Sequence, residues 1–165
     1  MGIEITISPL DETDIPSVVE IERQSQLEPW SEQSFLEELE RLHSHMLAAR
    51  LGRDAVTANR TWTAGEAAGY ICYWCVADEI QILNIAVHPD FRRQGMAGAL
   101  LAHAIERGRE KKVMLVTLEV RRSNDAARRL YESFGFKVVG ERPNYYGAPV
   151  ESAILMELEI LKNDV

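Results

Sequence analysis

The sequence predicts an α/β (α+β) domain built on a mixed sheet with helices on its faces. Three observations lead there. Period-2 and period-3.6 apolar patterns alternate in the order β-α-α-β-β-β-α-β-α-β-β. A strand, a glycine-containing turn, a helix and a second apolar strand follow one another between Ile80 and Val120, which reads as a parallel strand–helix–strand unit with a right-handed crossover. The chain has 165 residues, 46% of them hydrophobic, enough for one compact domain over residues 1–165 with its own core.

Taken in order, "IEITISPL" alternates apolar and polar residues and reads as a strand. "DETDIPSVVEIERQSQ" carries helix-start signals, with Asp14 as the cap and Pro16 in the first turn. "EPWSEQSFLEELERL" reads as a second helix capped by Ser31, with Trp30 before the cap and Phe35 inside it placed as a hydrophobic staple. "HMLAARL" reads as a strand, and the polar, turn-rich "GRDAVTANRTWTAGE" as a flexible loop. "AAGYICYWCVA" and "EIQILNIAV" form two strands about a short turn.

The helix that follows presents Ala97, Leu100, Leu101, Ala104, Ile105 and Gly108 at three- and four-residue spacing. "VMLVTLEV" is a nearly continuous apolar run and reads as a strand buried on both faces. "SNDAARRLYESFGF" is a capped helix with Gly135 at its C-terminal stop. "KVVGER" and "ESAILMELEI" are the last strands, joined by a loop, "PNYYGAP".

The net charge of −8, from 18 basic and 26 acidic side chains, argues against general nucleic-acid binding and suits a basic polypeptide partner. No apolar run is long enough to span a membrane, and the N-terminus lacks the pattern of a secretory signal, so the expected compartment is the cytoplasm. The two cysteines, Cys72 and Cys75, lie three apart on a predicted strand and point to opposite faces. With no second pair to complete a metal site, they read as ordinary thiols and no metal is expected.

The stretch "AVHPDFRRQGMAGALLAHAI" concentrates Arg92, Arg93, Gln94, Gly95, Met96, Ala97 and Gly98 at a strand-to-helix turn. A helix N-terminus offers unpaired amides and a partial positive charge, which suit a phosphate if the backbone can approach it. Gly95 and Gly98 clear that approach, and Arg92 and Arg93 add attraction. The turn lacks the Gly-Lys-Ser/Thr of a Walker loop and the spacing of a dinucleotide fingerprint. The pattern present is Arg92-x-x-Gly95-x-Ala97.

"NIAVHPDFRRQGMAGALL" resembles the acyl-CoA-binding motif of the GNAT acetyltransferase superfamily. More narrowly, "EPWSEQSF", "LEVRRSNDAARRLYESFGF" and "RPNYYGAPVESAILMEL" resemble segments of the bacterial RimI-type protein N-terminal alanine acetyltransferases. The resemblance implies the GNAT fold: a mostly antiparallel central sheet of about seven strands flanked by four helices. It implies acetyl-CoA as co-substrate, with Ile85, Ala86 and Val87 along its pantetheine arm, the amides from Arg93 to Gly98 on its pyrophosphate, and Asn124 near the cofactor. The long segment after Leu51 and the alanine at position 97 depart from the common pattern.

Acyl transfer from a thioester needs a neutral amine, a donor for the developing oxyanion and a proton for the leaving thiolate. An α-amine titrates near ~8, against ~10.4 for lysine, so a carboxylate acting through water can deprotonate it. Glu119 interrupts an apolar strand, where burial would raise its pKa; its position alone equally suits a strand end meeting water. Tyr131 lies on the apolar side of a short helix, where a core aromatic is the commoner role.

The resemblance makes Glu119 the general base, Tyr131 the proton donor to the thiolate, and the Val87 N–H the oxyanion donor. Transfer is expected to be direct, since neither cysteine lies in an activating motif. His88, in a turn before Pro89, is read as solvent-exposed. The implied acceptor is the N-terminal alanine of the eighteenth small-subunit ribosomal protein, a basic chain, with Tyr145 and Tyr146 as wall candidates. Other protein N-termini, lysines or small amines are the rival acceptors. A non-catalytic acyl-CoA-binding module is the rival class.

Overall fold

The structure is a computed structural model that describes residues 2–160; Met1 and residues 161–165, the ends of the expected domain span, lie outside the described residues. Seven strands form one sheet in the order β1-β2-β5-β6-β7-β9-β8. They are β1 (Ile5–Pro9), β2 (Ser44–Leu51), β5 (Ala67–Val76), β6 (Glu79–Val87), β7 (Leu115–Arg121), β8 (Lys137–Gly147) and β9 (Val150–Glu159). The pairs β1–β2, β7–β9 and β8–β9 are antiparallel, and β6–β7 is parallel. Among the described residues four α-helices form: α1 (Ile15–Ser25), α2 (Glu32–Glu40), α3 (Met96–Glu110) and α4 (Asp125–Ser133). Seven strands and four helices are the number that the resemblance implies.

The residues cluster into two compact units. One comprises the chain up to Tyr73 with Asn84–His103; the other comprises Trp74–Leu83 with the chain from Ala104 onward. In the first, α1 buries Ile15, Val18, Val19 and Ile21, and α2 buries Phe35. Ser31 caps α2, its hydroxyl accepting the Ser34 amide at 3.1 Å. The staple forms as expected, with the Trp30 and Phe35 rings 5.4 Å apart. Asp14 does not cap α1. Its carboxylate binds the Arg50 guanidinium at 2.6 and 2.8 Å, and Asp11 caps the short 3-10 turn before it. A paired charge outcompetes the cap here because the carboxylate is buried and needs a cation.

The polar stretch after Leu51 is not a flexible loop. It folds into a two-stranded hairpin, β3 (Ala55–Val56) and β4 (Thr61–Trp62), anchored by Trp62, which is 1% exposed. Its turn formers mark the hairpin's bends; the single tryptophan supplies the apolar area that fixes it.

In the second unit, α3 packs its Gly108 against Ile80, Val113 and Ile160, where a Cβ would meet the Ile80 side chain at 2.9 Å. The strand β7 is not buried on both faces. Val116, Leu118 and Val120 point into the core, while Leu115, Thr117, Glu119 and Arg121 lie on a half-exposed face. The expected loop "PNYYGAP" is largely strand: β8 runs on through Tyr145 to Gly147, with register shifts between Val138 and Gly140 and between Arg142 and Tyr146. Pro143 falls in the second register break of this edge strand, between Arg142 and Tyr146, where no ladder pair is registered and a missing N–H is tolerated.

Candidate active site

In the first unit, β6 ends at Val87 and a 3-10 turn over Pro89–Phe91 leads to α3. Two residues of the intervening turn adopt left-handed backbone conformations, Arg93 at φ 60° and Gly95 at φ 81°. Glycine meets that demand at position 95 without strain, and nothing lies within 4 Å of where a Cβ would stand. The first hydrogen bond of α3 runs from the Ala99 amide to the Gly95 carbonyl at 3.0 Å. The amides of Met96, Ala97 and Gly98 therefore precede the helical ladder, in the manner of an anion-binding helix start. This open, amide-rich turn fits the diphosphate of the expected co-substrate. Arg93 and Gln94 are exposed beside it.

Arg92 is engaged elsewhere. Its Nε donates to the Val87 carbonyl at 3.1 Å, and its Nη2 donates to the Gln24 carbonyl at 3.2 Å and the Ser25 hydroxyl at 3.1 Å. Ile85, Ala86 and Val87 lie beyond the last registered pair of β6 with β7, which is Ile82 with Leu118. Among the described residues no pairing with β7 is registered for these three.

His88 is buried, 2% exposed, contrary to the expectation of a wet loop residue. Its ring lies edge-on to Trp62 at 4.7 Å and its Nδ1 accepts the Asp90 amide at 3.1 Å. The hairpin that covers it was invisible in the local sequence around His88.

The second unit carries the acid and base candidates. Glu119 points to the half-exposed face of β7, its side chain 21% exposed. Arg142 of β8 approaches its Oε1 at 3.3 Å, and the Tyr145 hydroxyl donates to it. The surroundings are thus an ion pair and a phenol on a half-exposed face, so of the two readings left open by position the solvent-meeting one is nearer than apolar burial. Glu119 opens on a groove of about 230 Å³ that Thr117, Arg142, Leu155 and Glu157 also line. An arginine on a strand two removed in the sheet left no local sequence signal.

Tyr131 is 5% exposed, its ring packed against Phe136 at 5.7 Å. Burial, with a smaller contribution from Tyr146, pushes its hydroxyl well above the ordinary tyrosine range. Asn124 is the cap of α4, its Oδ1 accepting the Ala127 amide at 3.2 Å, which leaves its amide nitrogen for other partners. The Tyr145 and Tyr146 rings meet edge-on at 5.1 Å, with the guanidinium of Arg121 over Tyr146 at 4.2 Å. Among the described residues no group of three or more His, Cys, Asp or Glu side chains forms a metal-ligating cluster.

The model of the acetyltransferase (GNAT) family matches residues 15–136. The chain belongs to that family. It is an acetyl-CoA-dependent N-acetyltransferase, with acetyl-CoA as co-substrate. It is 39% identical, over 94% of its own length and 97% of the relative's, to the [ribosomal protein bS18]-alanine N-acetyltransferase of Escherichia coli K12. It is 38% identical to a putative enzyme of the same name from Bacillus subtilis 168, over 89% and 90% of the two chains. Its structure matches the crystal structure of the ribosomal-protein-S18-alanine N-acetyltransferase from Escherichia coli with a TM-score of 0.81 at 34% identity, covering 98% and 99% of the chains. Among the described residues no helix is long and apolar enough to cross a membrane.

Proposed function

We propose that this acetyltransferase acetylates the N-terminal alanine of ribosomal protein bS18 in the cytoplasm, by direct transfer from acetyl-CoA. The observation that carries the reading is 39% identity, along almost the whole of both chains, to an enzyme named for that reaction. The net charge of −8 supports a basic protein acceptor and disfavours nucleic acid.

The bound co-substrate supplies a thioester carbonyl open to attack by a neutral amine. The amides from Arg93 to Gly98 hold the diphosphate. The strand end formed by Ile85, Ala86 and Val87 lines the arm, and Asn124 adds an amide. Glu119 takes a proton from the acceptor's α-ammonium, directly or through water. Its carboxylate is oriented by Arg142 and by the Tyr145 hydroxyl. The Val87 N–H donates to the oxygen on which negative charge develops. Tyr131 returns a proton to the departing thiolate; its hydroxyl is held in the protonated form by burial, and the charge developing on the sulfur draws the proton off.

The test is mass spectrometry of a basic, alanine-initiated peptide after incubation with the enzyme and acetyl-CoA. A single acetyl group on the α-amine is the expected product. Acetylation confined to a lysine side chain or a small amine, with the α-amine untouched, overturns the acceptor assignment. Coenzyme binding without turnover of any amine would instead identify a binding module.

A further inference from the structure

The segment between β6 and the amide-rich turn is tied down from two directions. Asp90 sits three residues before Arg93, and its carboxylate is 3% exposed. It accepts hydrogen bonds from three side chains of the β3–β4 hairpin: the Thr57 hydroxyl at 2.5 Å, the Asn59 amide at 2.5 Å and the Trp62 indole N–H at 3.2 Å. The next residue, Phe91, packs edge-on against the same tryptophan at 4.8 Å. Thr57, Asp90, Phe91 and Gln94 line one cavity of about 290 Å³, so the hairpin and the turn share a wall. From the other direction, Arg92 fastens the segment to the end of α1 through Gln24 and Ser25.

We propose that the β3–β4 hairpin braces the diphosphate-binding turn, with Asp90 as the positioning residue through which it acts and Arg92 as the opposing strut. The proposal rests on the reading that this turn holds the diphosphate of acetyl-CoA. Its physical logic is preorganisation. A turn that contains a non-glycine residue at φ 60° does not keep that shape alone. Fixing the residues before it leaves the amides aimed before the ligand arrives, so less order is lost on binding. The arginine that looked like a phosphate ligand in the sequence contributes through the backbone it holds.

The test uses the double variant Thr57→Val, Asn59→Ala, which removes two of the three hydrogen bonds to Asp90 and keeps Trp62. Because the Thr57 hydroxyl also bonds Asn59 and Arg60 within the hairpin turn, the single variant Asn59→Ala, whose side chain loses only its bond to Asp90, is measured beside it and should shift CoA binding in the same direction. Titration calorimetry with CoA and with acetyl-pantetheine, which lacks the diphosphate, is run beside steady-state kinetics and thermal unfolding. The Kd for CoA and the KM for acetyl-CoA should rise about tenfold. Binding of acetyl-pantetheine, the KM for peptide and kcat at saturating coenzyme should stay within about twofold. The single variant Thr57→Ser, which keeps the hydroxyl, should bind CoA as the unaltered chain does. An unchanged Kd for CoA in the double variant overturns the brace. So does a loss that falls equally on CoA, acetyl-pantetheine, peptide and thermal stability. If the unaltered chain binds CoA no more tightly than acetyl-pantetheine, the diphosphate reading fails first.

Discussion

Glu22 and Glu119 both interrupt apolar stretches on regular elements, and their surroundings differ in kind. Glu22, on α1, is 0% exposed. Its Oε1 accepts the Trp30 amide at 3.0 Å, its Oε2 accepts the Tyr70 hydroxyl, and the Asn84 amide reaches both oxygens at 2.9 and 3.0 Å. All of these partners are neutral. Burial pushes the Glu22 carboxyl above its ordinary range, with the bonds from Tyr70, Trp30 and Asn84 opposing the shift. Glu119 keeps a cationic partner, a phenol and an open groove. The more deeply buried carboxylate is therefore the anchor, and the accessible one is the base candidate. A buried acid with its oxygens occupied has no vacant lone pair for a substrate proton; a base needs an approach as well as a shifted equilibrium.

Three experiments bear on that contrast. The largest effect is expected at the accessible site: Glu119→Gln should lower kcat about a hundredfold or more, and Tyr131→Phe should do likewise. Both variants should hold coenzyme with unaltered affinity in calorimetry. Full rates in both would remove the roles assigned to them.

Glu22→Ala should instead cost about 2–4 kcal/mol of stability in denaturant unfolding, because the Trp30 N–H, the Tyr70 hydroxyl and the Asn84 amide lose their shared acceptor. Turnover per folded molecule should survive. The difference has a pH signature. Folding raises this carboxyl's pKa, so its contribution is complete below the ordinary carboxylate range and is lost as pH rises through the raised native value. The gap between the unaltered chain and Glu22→Ala should narrow accordingly. A variant of full stability that had lost kcat would invert the comparison.

The smallest effect concerns Cys72, in the same first unit as Glu22. Burial above all, with Glu38 and Glu22 adding to it, pushes its thiol up to about 12. A disulfide-forming thiol reagent at mildly alkaline pH should label the half-buried Cys75 in the native protein and reach Cys72 only after unfolding. Rapid labelling of both in the native state would show that this core is not sealed.

Period and capping made most elements legible. Ser31, Trp30 and Phe35 announced α2, and Gly135, at φ 95°, announced the end of α4. What escaped depends on residues far apart in the chain. His88 looked wet because the hairpin that buries it lies more than twenty residues upstream. Asp14 looked like a cap because Arg50 was out of sight. Glu119, Tyr131 and the glycine turn could be picked out as candidates, whereas Arg142 and Asp90 could not, since strand register and hairpin docking decide their neighbours. Glu22 was within reach: it continues the stripe of Ile15, Val18 and Val19, and a charge in such a stripe signals a buried polar cluster.

The strand β8 pairs on one side only, with β9, and its register slips twice along the way. It also carries Arg142 and Tyr145, which bond to Glu119, and Tyr146, which feels its charge. Insertions or replacements there disturb a single ladder, and every inner pairing of the sheet survives them. Selection, or an engineer, can therefore rewrite the margin around the base from this one border while the framework that folds the molecule stays untouched.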